Sequence, residues 1–312
     1  MLIDVIIPTY NPDEKLSQII RKLAGQSAPP SRIILINSGD PLPDSLLSDG
    51  RGSDCAIDII DIPAAEFDHG ATRNRAASGS AADRLLFMTQ DAVPADENMI
   101  ANMVKAFAPG VSAVYARQLA NDDASPAERF SRSFNYPETP CVKSAGDMKR
   151  LGIKTFFCSN ACAMYDRADF ERLGRFPEGM IFNEDMVFAR RIIDDGERIA
   201  YAADAAVYHS HNYTNMQQFR RNFDLAVSQA MHPEVFSDVS SESEGMTYVK
   251  QAFSQFAADG RPLYFIPFSI ACAYRLFGYR LGKRYEKLGK RTILFCTANP
   301  NFFYRYWSKN HG

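Results

Sequence analysis

Three groups of ionisable side chains stand where apolar runs end, and each is of a type that can hold a metal or move a proton. Asp91 closes the apolar run of LLFMTQDAVP, residues 85–94. Glu184 and Asp185 open the amphipathic segment FNEDMVFARRI, and His209 and His211 end the apolar stretch of VYHSHNYT. Each has a structural alternative. Asp and Pro both favour turns, so Asp91 serves equally as a turn former. Acids in a first helical turn suit the helix dipole, so capping accounts for Glu184 and Asp185 as well as chemistry does. A lone histidine is more often structural, but two of the chain's five together weaken that alternative. Strand alternation puts both imidazoles on one side. Carboxylate plus imidazole is a workable donor set for a divalent metal, though far less specific than a zinc-finger spacing.

The elements that must position these groups alternate in type. LIDVIIP (2–8), RIILIN (32–37), AIDIIDI (56–62), the run ending at Asp91 and VSAVYAR (111–117) read as strands. Between them, Leu16, Ile19, Ile20 and Leu23 share one helical face, as do Ile100, Met103, Val104 and Phe107, and GATRNRAASGSA (70–81) predicts a short helix. This alternation argues for an α/β fold with a mainly parallel sheet flanked by helices. Ligands of such sheets bind at the carboxyl ends of strands, where Asp91 stands. A loop rich in Pro, Asp, Ser and Gly spans 38–54, and residues 118–155 read as a long, polar, mobile insertion that covers the site and contacts substrate. Beyond TFFCSNACAMY (155–165) come a helix at EDMVFARRIIDDG, a strand at ERIAYAADAAVYHSH, and a helical region from about residue 214. No internal repeat is present.

A chain of 312 residues, 46% hydrophobic and 23% charged, has room for one large α/β domain, or for one domain with an appendage. The six cysteines (55, 141, 158, 162, 272, 296) form no CxxC pair or zinc spacing. Cys158 and Cys162 would be neighbours on a helix, but buried free thiols are expected. The N-terminus lacks a basic leader and cleavage site, which with the thiols points to the cytoplasm. Charge is lopsided: residues 275–312 carry nine Lys/Arg against one acid, Glu286, leaving 26 bases against 36 acids before them. The apolar core of LYFIPFSIACAYRLFGY (263–279) is shorter than a bilayer span, so a membrane-surface element is expected, with Arg280, Lys283, Arg284, Lys287, Lys290 and Arg291 just beyond it.

The order of these segments resembles that of bacterial family 2 glycosyltransferases, and among them the rhamnosyltransferase-like group. VIIPTYNPDEKL is similar to the family's opening strand and loop, FDHGATRNRAA to a segment common in the rhamnosyltransferase-like members, and FMTQDAVP occupies the place of the Asp-x-Asp motif. NEDMVFARR resembles the motif that supplies the catalytic base, and AAVYHSHNYT the late strand with a metal-binding histidine; YARQL, FNYP and GIKTFFCSNAC also match. The resemblance covers residues 1 to about 230.

It implies a GT-A type fold, with a catalytic domain over 1–230 and a helical, basic region over 231–312. It implies an inverting, metal-dependent enzyme that moves a sugar from a nucleotide-sugar donor, with dTDP-rhamnose expected, to a glycan or lipid-linked glycan. Asp185 would be the base, with Glu184 orienting it or contacting acceptor. Pro8, Thr9, Tyr10, Asn11, Asn37, Gly70, Arg73, Asn74, Gln90 and Asp91 would line the nucleotide-sugar site, Arg73 adding a contact to the diphosphate. Asp91, His209 and His211 would hold Mg²⁺ or Mn²⁺. The expected setting is cell-surface polysaccharide synthesis, peripheral to the cytoplasmic membrane at its inner face, with no nucleic-acid partner. Two departures stand out: Asn37, followed by Ser38 and Gly39, replaces a base-reading Asp (Asp40 being a substitute), and the metal motif is reduced to Thr89-Gln90-Asp91, one acid. The alternatives are a family 2 enzyme for another donor, such as a UDP-hexose, or a non-catalytic nucleotide-binding protein.

Overall fold

The computed structural model describes residues 1–47, 55–239 and 241–310; part of the 38–54 loop and the chain's last two residues lie outside them. The described chain divides into two compact units. The first comprises residues 1–123, 135–178 and 184–210.

Its centre is a nine-stranded sheet among the described residues: β1 (Ile3–Thr9), β2 (Arg32–Asn37), β3 (Ala56–Asp61), β4 (Arg84–Met88), β5 (Val93–Pro94), β6 (Val111–Leu119), β7 (Cys141–Lys143), β8 (Cys162–Asp166) and β9 (Arg198–Tyr208). The order is β3-β2-β1-β4-β8-β6-β9-β5, with β7 pairing β9. β1, β2, β3 and β4 pair in parallel, as do β6 and β9. β4 and β6 both run against β8, so all six of these strands share one direction and their carboxyl ends share one edge. β1 and β4 are almost wholly buried because helices cover both faces of the sheet, which is why they read as continuous apolar runs rather than alternating ones. On one face Leu16, Ile19, Ile20 and Leu23 of the Glu14–Ala24 helix join Met99, Ile100 and Met103 in a single core. On β4 and β8, Phe87 and Tyr165 pack edge-to-face with Phe176, and Phe170 and Phe188 complete the aromatic cluster.

Three expectations need correction. The strand expected to reach Asp91 ends at Met88, and Pro94 lies in the two-residue β5. β9 ends at Tyr208, so His209 and His211 lie beyond it and strand alternation does not orient them. Cys158 and Cys162 are buried free thiols as expected, but Cys162 begins β8 rather than sitting on a helix.

The insertion expected over 118–155 is not irregular. Its middle, Pro126–Asn135, is a helix, followed by β7 and short helical turns at Met148–Leu151 and Gly152–Phe156. Polar composition hides the helix: Ala127, Phe130 and Phe134 face one way, and Glu128 and Arg132 pair at 2.7 Å one turn apart.

The second unit comprises residues 124–134, 179–183 and 211–312. Within it the Asn215–Met231 helix lies against the Phe265–Gly282 helix, where a Cβ on Gly278 would sit 2.2 Å from the Phe219 carbonyl oxygen and one on Gly282 2.3 Å from that of Phe223. Asp224 of the same helix accepts from the Thr297 hydroxyl (2.6 Å) and the Ala298 amide (2.9 Å), which ties the end of the chain to it. Among the described residues, no helix is long and apolar enough to cross a membrane.

Candidate active site

The shared carboxyl edge of the six co-directional strands gathers most of the residues singled out in the sequence. At the end of β1, Thr9 is buried and Tyr10 is 59% exposed. Gln90, in the turn after β4, clamps Tyr10 from both sides: its Oε1 accepts from the Tyr10 amide at 2.7 Å and its Nε2 donates to the Tyr10 carbonyl at 3.1 Å. Asn11, with a φ of 41°, accepts from the Asp40 amide at 2.9 Å. Pro8, inside β1, is partly covered.

Asn37 ties together the ends of two strands. It is buried, its Nδ2 donates to the Asp40 carbonyl and to Asp61 Oδ1, both at 2.9 Å, and its Oδ1 accepts from the Gly39 amide at 3.3 Å. An amide engaged this fully joins the ends of β2 and β3, leaving Asp40 and Asp61 as the exposed carboxylates of this corner. Asp61 escaped the sequence analysis because AIDIID reads simply as a strand.

Gly70, Arg73 and Asn74 sit on the His69–Ser78 helix, and all three face protein. A Cβ on Gly70 would lie 2.0 Å from the Pro177 carbonyl oxygen, so close packing requires glycine there. Asn74 donates to the Phe176 carbonyl (2.9 Å) and Glu178 (3.1 Å) and accepts from the Phe176 amide (3.1 Å). Arg73 is buried, donates to the His69 carbonyl at 2.8 Å, and lies 3.2 Å from the buried Glu184. Its guanidinium is thus engaged with a carboxylate and largely covered by protein.

Glu184 and Asp185 begin the Glu184–Asp194 helix, which Phe188 anchors one turn on in the aromatic cluster. The two acids have opposite surroundings. Burial would raise the Glu184 pKa, but Arg73 and then His69 outweigh it and hold the carboxyl below its usual range. For Asp185, burial first and the Glu184 charge second push the pKa up to about 7, against the pull of two amides. Those amides are Asn160 N–H to Oδ2 at 3.1 Å and Met186 N–H to Oδ1 at 2.8 Å. One acid stays ionised while its neighbour is poised near neutrality, which separates this pair from an ordinary capping pair in solvent.

Across the same edge, His209 Nε2 lies 3.4 Å from Asp91 Oδ1, with the histidine 13% and the aspartate 26% exposed. The other ring nitrogen, Nδ1, meets Gln118 Oε1 at 2.8 Å, and Gln118 Nε2 donates to Ser159 Oγ at 3.0 Å. In the Nδ1–H tautomer, which an amide carbonyl at that distance favours, Nδ1 donates to Gln118 and Nε2 directs its lone pair toward Asp91, so a cation between the two side chains would bind both. The residues present therefore fit a hard divalent ion with few protein donors. His211 opens the second unit, its ring stacked on Tyr213 at 4.9 Å. Gln118 and Asn160, the supporting groups, were missed individually; both lie in segments noted for their resemblance, YARQL and GIKTFFCSNAC.

The mainly parallel sheet, flanked by helices and with polar side chains gathered at its shared carboxyl edge, is a GT-A fold. The chain belongs to glycosyl transferase family 2, whose model matches residues 4–174. It is 38% identical to the O-antigen chain rhamnosyltransferase RfbN of Salmonella typhimurium over 97% of this chain and 96% of that one. It is also 38% identical to the O-antigen chain rhamnosyltransferase WbaN of Salmonella anatum, over 96% and 95%. Among solved structures, the mannosyltransferase PcManGT from Pyrobaculum calidifontis, in complex with GDP-Man and Mn²⁺, is similar in fold: TM-score 0.62 and 17% identity over 92% of this chain and 88% of that one.

Proposed function

We propose that this chain is an inverting, metal-dependent rhamnosyltransferase that moves rhamnose from dTDP-rhamnose onto a lipid-linked glycan during O-antigen-type polysaccharide assembly. The observation that carries the chemistry is the asymmetry of Glu184 and Asp185. Burial, and after it the ionised Glu184 that Arg73 compensates, raises Asp185, so Asp185 takes up the acceptor hydroxyl proton readily at neutral pH. The choice of rhamnose rests on the two relatives identical at 38% over nearly their whole length. Asp91 and His209, with His211 two residues on, would hold Mg²⁺ or Mn²⁺, and the ion supplies charge neutralisation for the departing nucleoside diphosphate. Gln118 holds His209 in the tautomer this requires. Tyr10 presents an exposed ring for stacking on the base, and Gln90 fixes its backbone. Asp40 and Asp61 are the acids available to the nucleoside.

A base with a pKa near 7 predicts the pH dependence. Asp185 must be ionised to accept a proton, so kcat/KM should rise from acid pH and level off above about pH 7. Transfer and donor hydrolysis measured from pH 5 to 9 across dTDP-rhamnose, UDP-galactose, UDP-glucose and UDP-N-acetylglucosamine test both claims. Preference for a UDP-hexose would overturn the donor, and no turnover of any donor would favour a non-catalytic nucleotide-binding protein.

The second unit is the part we assign to the membrane surface. Leu263, Ile266, Ile270, Tyr274 and Phe277 form one exposed stripe, Ile266 at 69% and Phe277 at 62%. Ile270, Tyr274, Phe277, Met216, Phe219 and Phe295 line an apolar groove of about 470 Å³. Residues 260–285 hold five Lys/Arg and no acid. Anionic lipid attracts each basic residue near its surface by about 1 kcal/mol, and the stripe adds apolar burial. Full-length protein should co-sediment with vesicles rich in anionic lipid at low salt and be released at high salt. Ile266→Ser combined with Phe277→Ser should abolish co-sedimentation and leave donor hydrolysis intact. Indifference of the unaltered protein to such vesicles would end this assignment.

A further inference from the structure

Lys143 ends β7 fully buried, and its ammonium bonds to carbonyls and a phenol rather than a carboxylate. Nζ donates to the Lys154 carbonyl at 3.1 Å, to the Phe157 carbonyl, and to the Tyr115 hydroxyl at 3.2 Å, and it lies over the Tyr115 ring at 4.6 Å from the centroid. Burying an ammonium is costly unless its donors are satisfied, so these contacts hold the chain around them firmly in place.

What they hold is a loop of four residues. Phe157 accepts from Lys143. Cys158 Sγ lies 3.4 Å from the Tyr165 hydroxyl. Ser159 accepts from Gln118, the residue that orients His209. Asn160 donates its backbone N–H to Asp185 and accepts from the Tyr165 hydroxyl at 2.9 Å. The two halves of the site, the Asp91/His209 pair and the Asp185 carboxyl, are thus supported by consecutive residues of one loop.

We infer that Lys143 is a positioning residue for catalysis, fixing the 157–160 loop so that Asn160 donates to Asp185 and Ser159 supports the Gln118–His209 contact. This rests on Asp185 being the base. Other groups facing that carboxyl are Glu184 beside it, Arg73 from the His69–Ser78 helix, Tyr165 from β8 and Cys158 from the loop itself. Of the groups on Asp185, the Asn160 amide and Cys158 belong to the loop that Lys143 holds, whereas Glu184 and Arg73 do not.

The test is the pH profile of kcat/KM for Lys143→Met in the full-length enzyme. Loss of a hydrogen bond that favours the ionised carboxylate raises its pKa, so the acid limb should move up by about one pH unit. Turnover lost at pH 7 should then be largely recovered near pH 9. A purely structural lysine would scale the profile down without moving its limb, and that result overturns the inference. Tyr165→Phe keeps the aromatic packing and releases the same loop from its other side, so its limb should move in the same direction. Should Lys143→Met not fold, Tyr165→Phe decides alone: a displaced limb supports the loop's role, and an unmoved one overturns it. If the unaltered enzyme shows no acid limb, the base assignment fails instead, which keeps the two failures distinct.

Discussion

Asp185→Asn is expected to lower turnover by roughly two to four orders of magnitude while changing donor affinity little, because the amide is isosteric and a poor proton acceptor. Single-turnover transfer and calorimetric binding of dTDP separate the two effects. The fold should survive the exchange, and the sign of the linkage says why. Asp185 has an ordinary value of 3.8 and is raised to about 7 in the folded chain. A raised acid costs stability progressively as pH climbs from 3.8 to about 7, and the cost is full above that. A neutral amide removes it, so thermal unfolding at pH 8 should show the variant no less stable than the parent. Turnover within a few-fold of the parent would place the base elsewhere, and Glu184 would be the next residue to test. Glu184 is the weaker candidate because Arg73, 3.2 Å away, stabilises its ionised form and so reduces its affinity for a proton.

The second large effect is expected at Asp91. Asp91→Ala should remove the Mn²⁺-dependent part of dTDP binding, a loss of at least ten- to a hundred-fold, roughly what disturbing even the supporting groups of a metal site costs. His209→Ala should follow the same pattern, and His211→Ala should cost less, because His209 directs Nε2 at Asp91 from 3.4 Å while the His211 ring is stacked on Tyr213. Calorimetry with dTDP, with and without Mn²⁺, measures all three. Unchanged affinity in Asp91→Ala would remove this carboxylate from the metal site, and a larger loss at His211 than at His209 would exchange the two imidazoles.

Both predictions use residues visible in the sequence, and the reason is their place at element ends. A parallel strand buried on both faces must be continuously apolar, so the first polar residues after it mark the sheet's carboxyl edge. That rule located Asp91 and His209, helical periodicity located Glu184 and Asp185, and the resemblance to the family pointed to Thr9 and Asn37. Local pattern also determined the helix carrying Gly70, Arg73 and Asn74, and the basic character of the C-terminal region.

Which partner each polar group takes was decided only by tertiary structure. Arg73 meets Glu184, 111 positions along the chain, because both helices pack at one sheet edge. The Asn37 amide donates to Asp61 of the neighbouring strand, a partner 24 positions away that no local pattern announces. The make-up of the two compact units and the helix inside the polar insertion depend likewise on contacts between distant segments. Periodicity encodes which face of an element is apolar; it carries no record of the neighbour that a polar side chain will meet. The sequence by itself therefore determined the strands, the helices and the residues at their ends, while long-range packing determined which acid is held ionised and which is poised to take a proton.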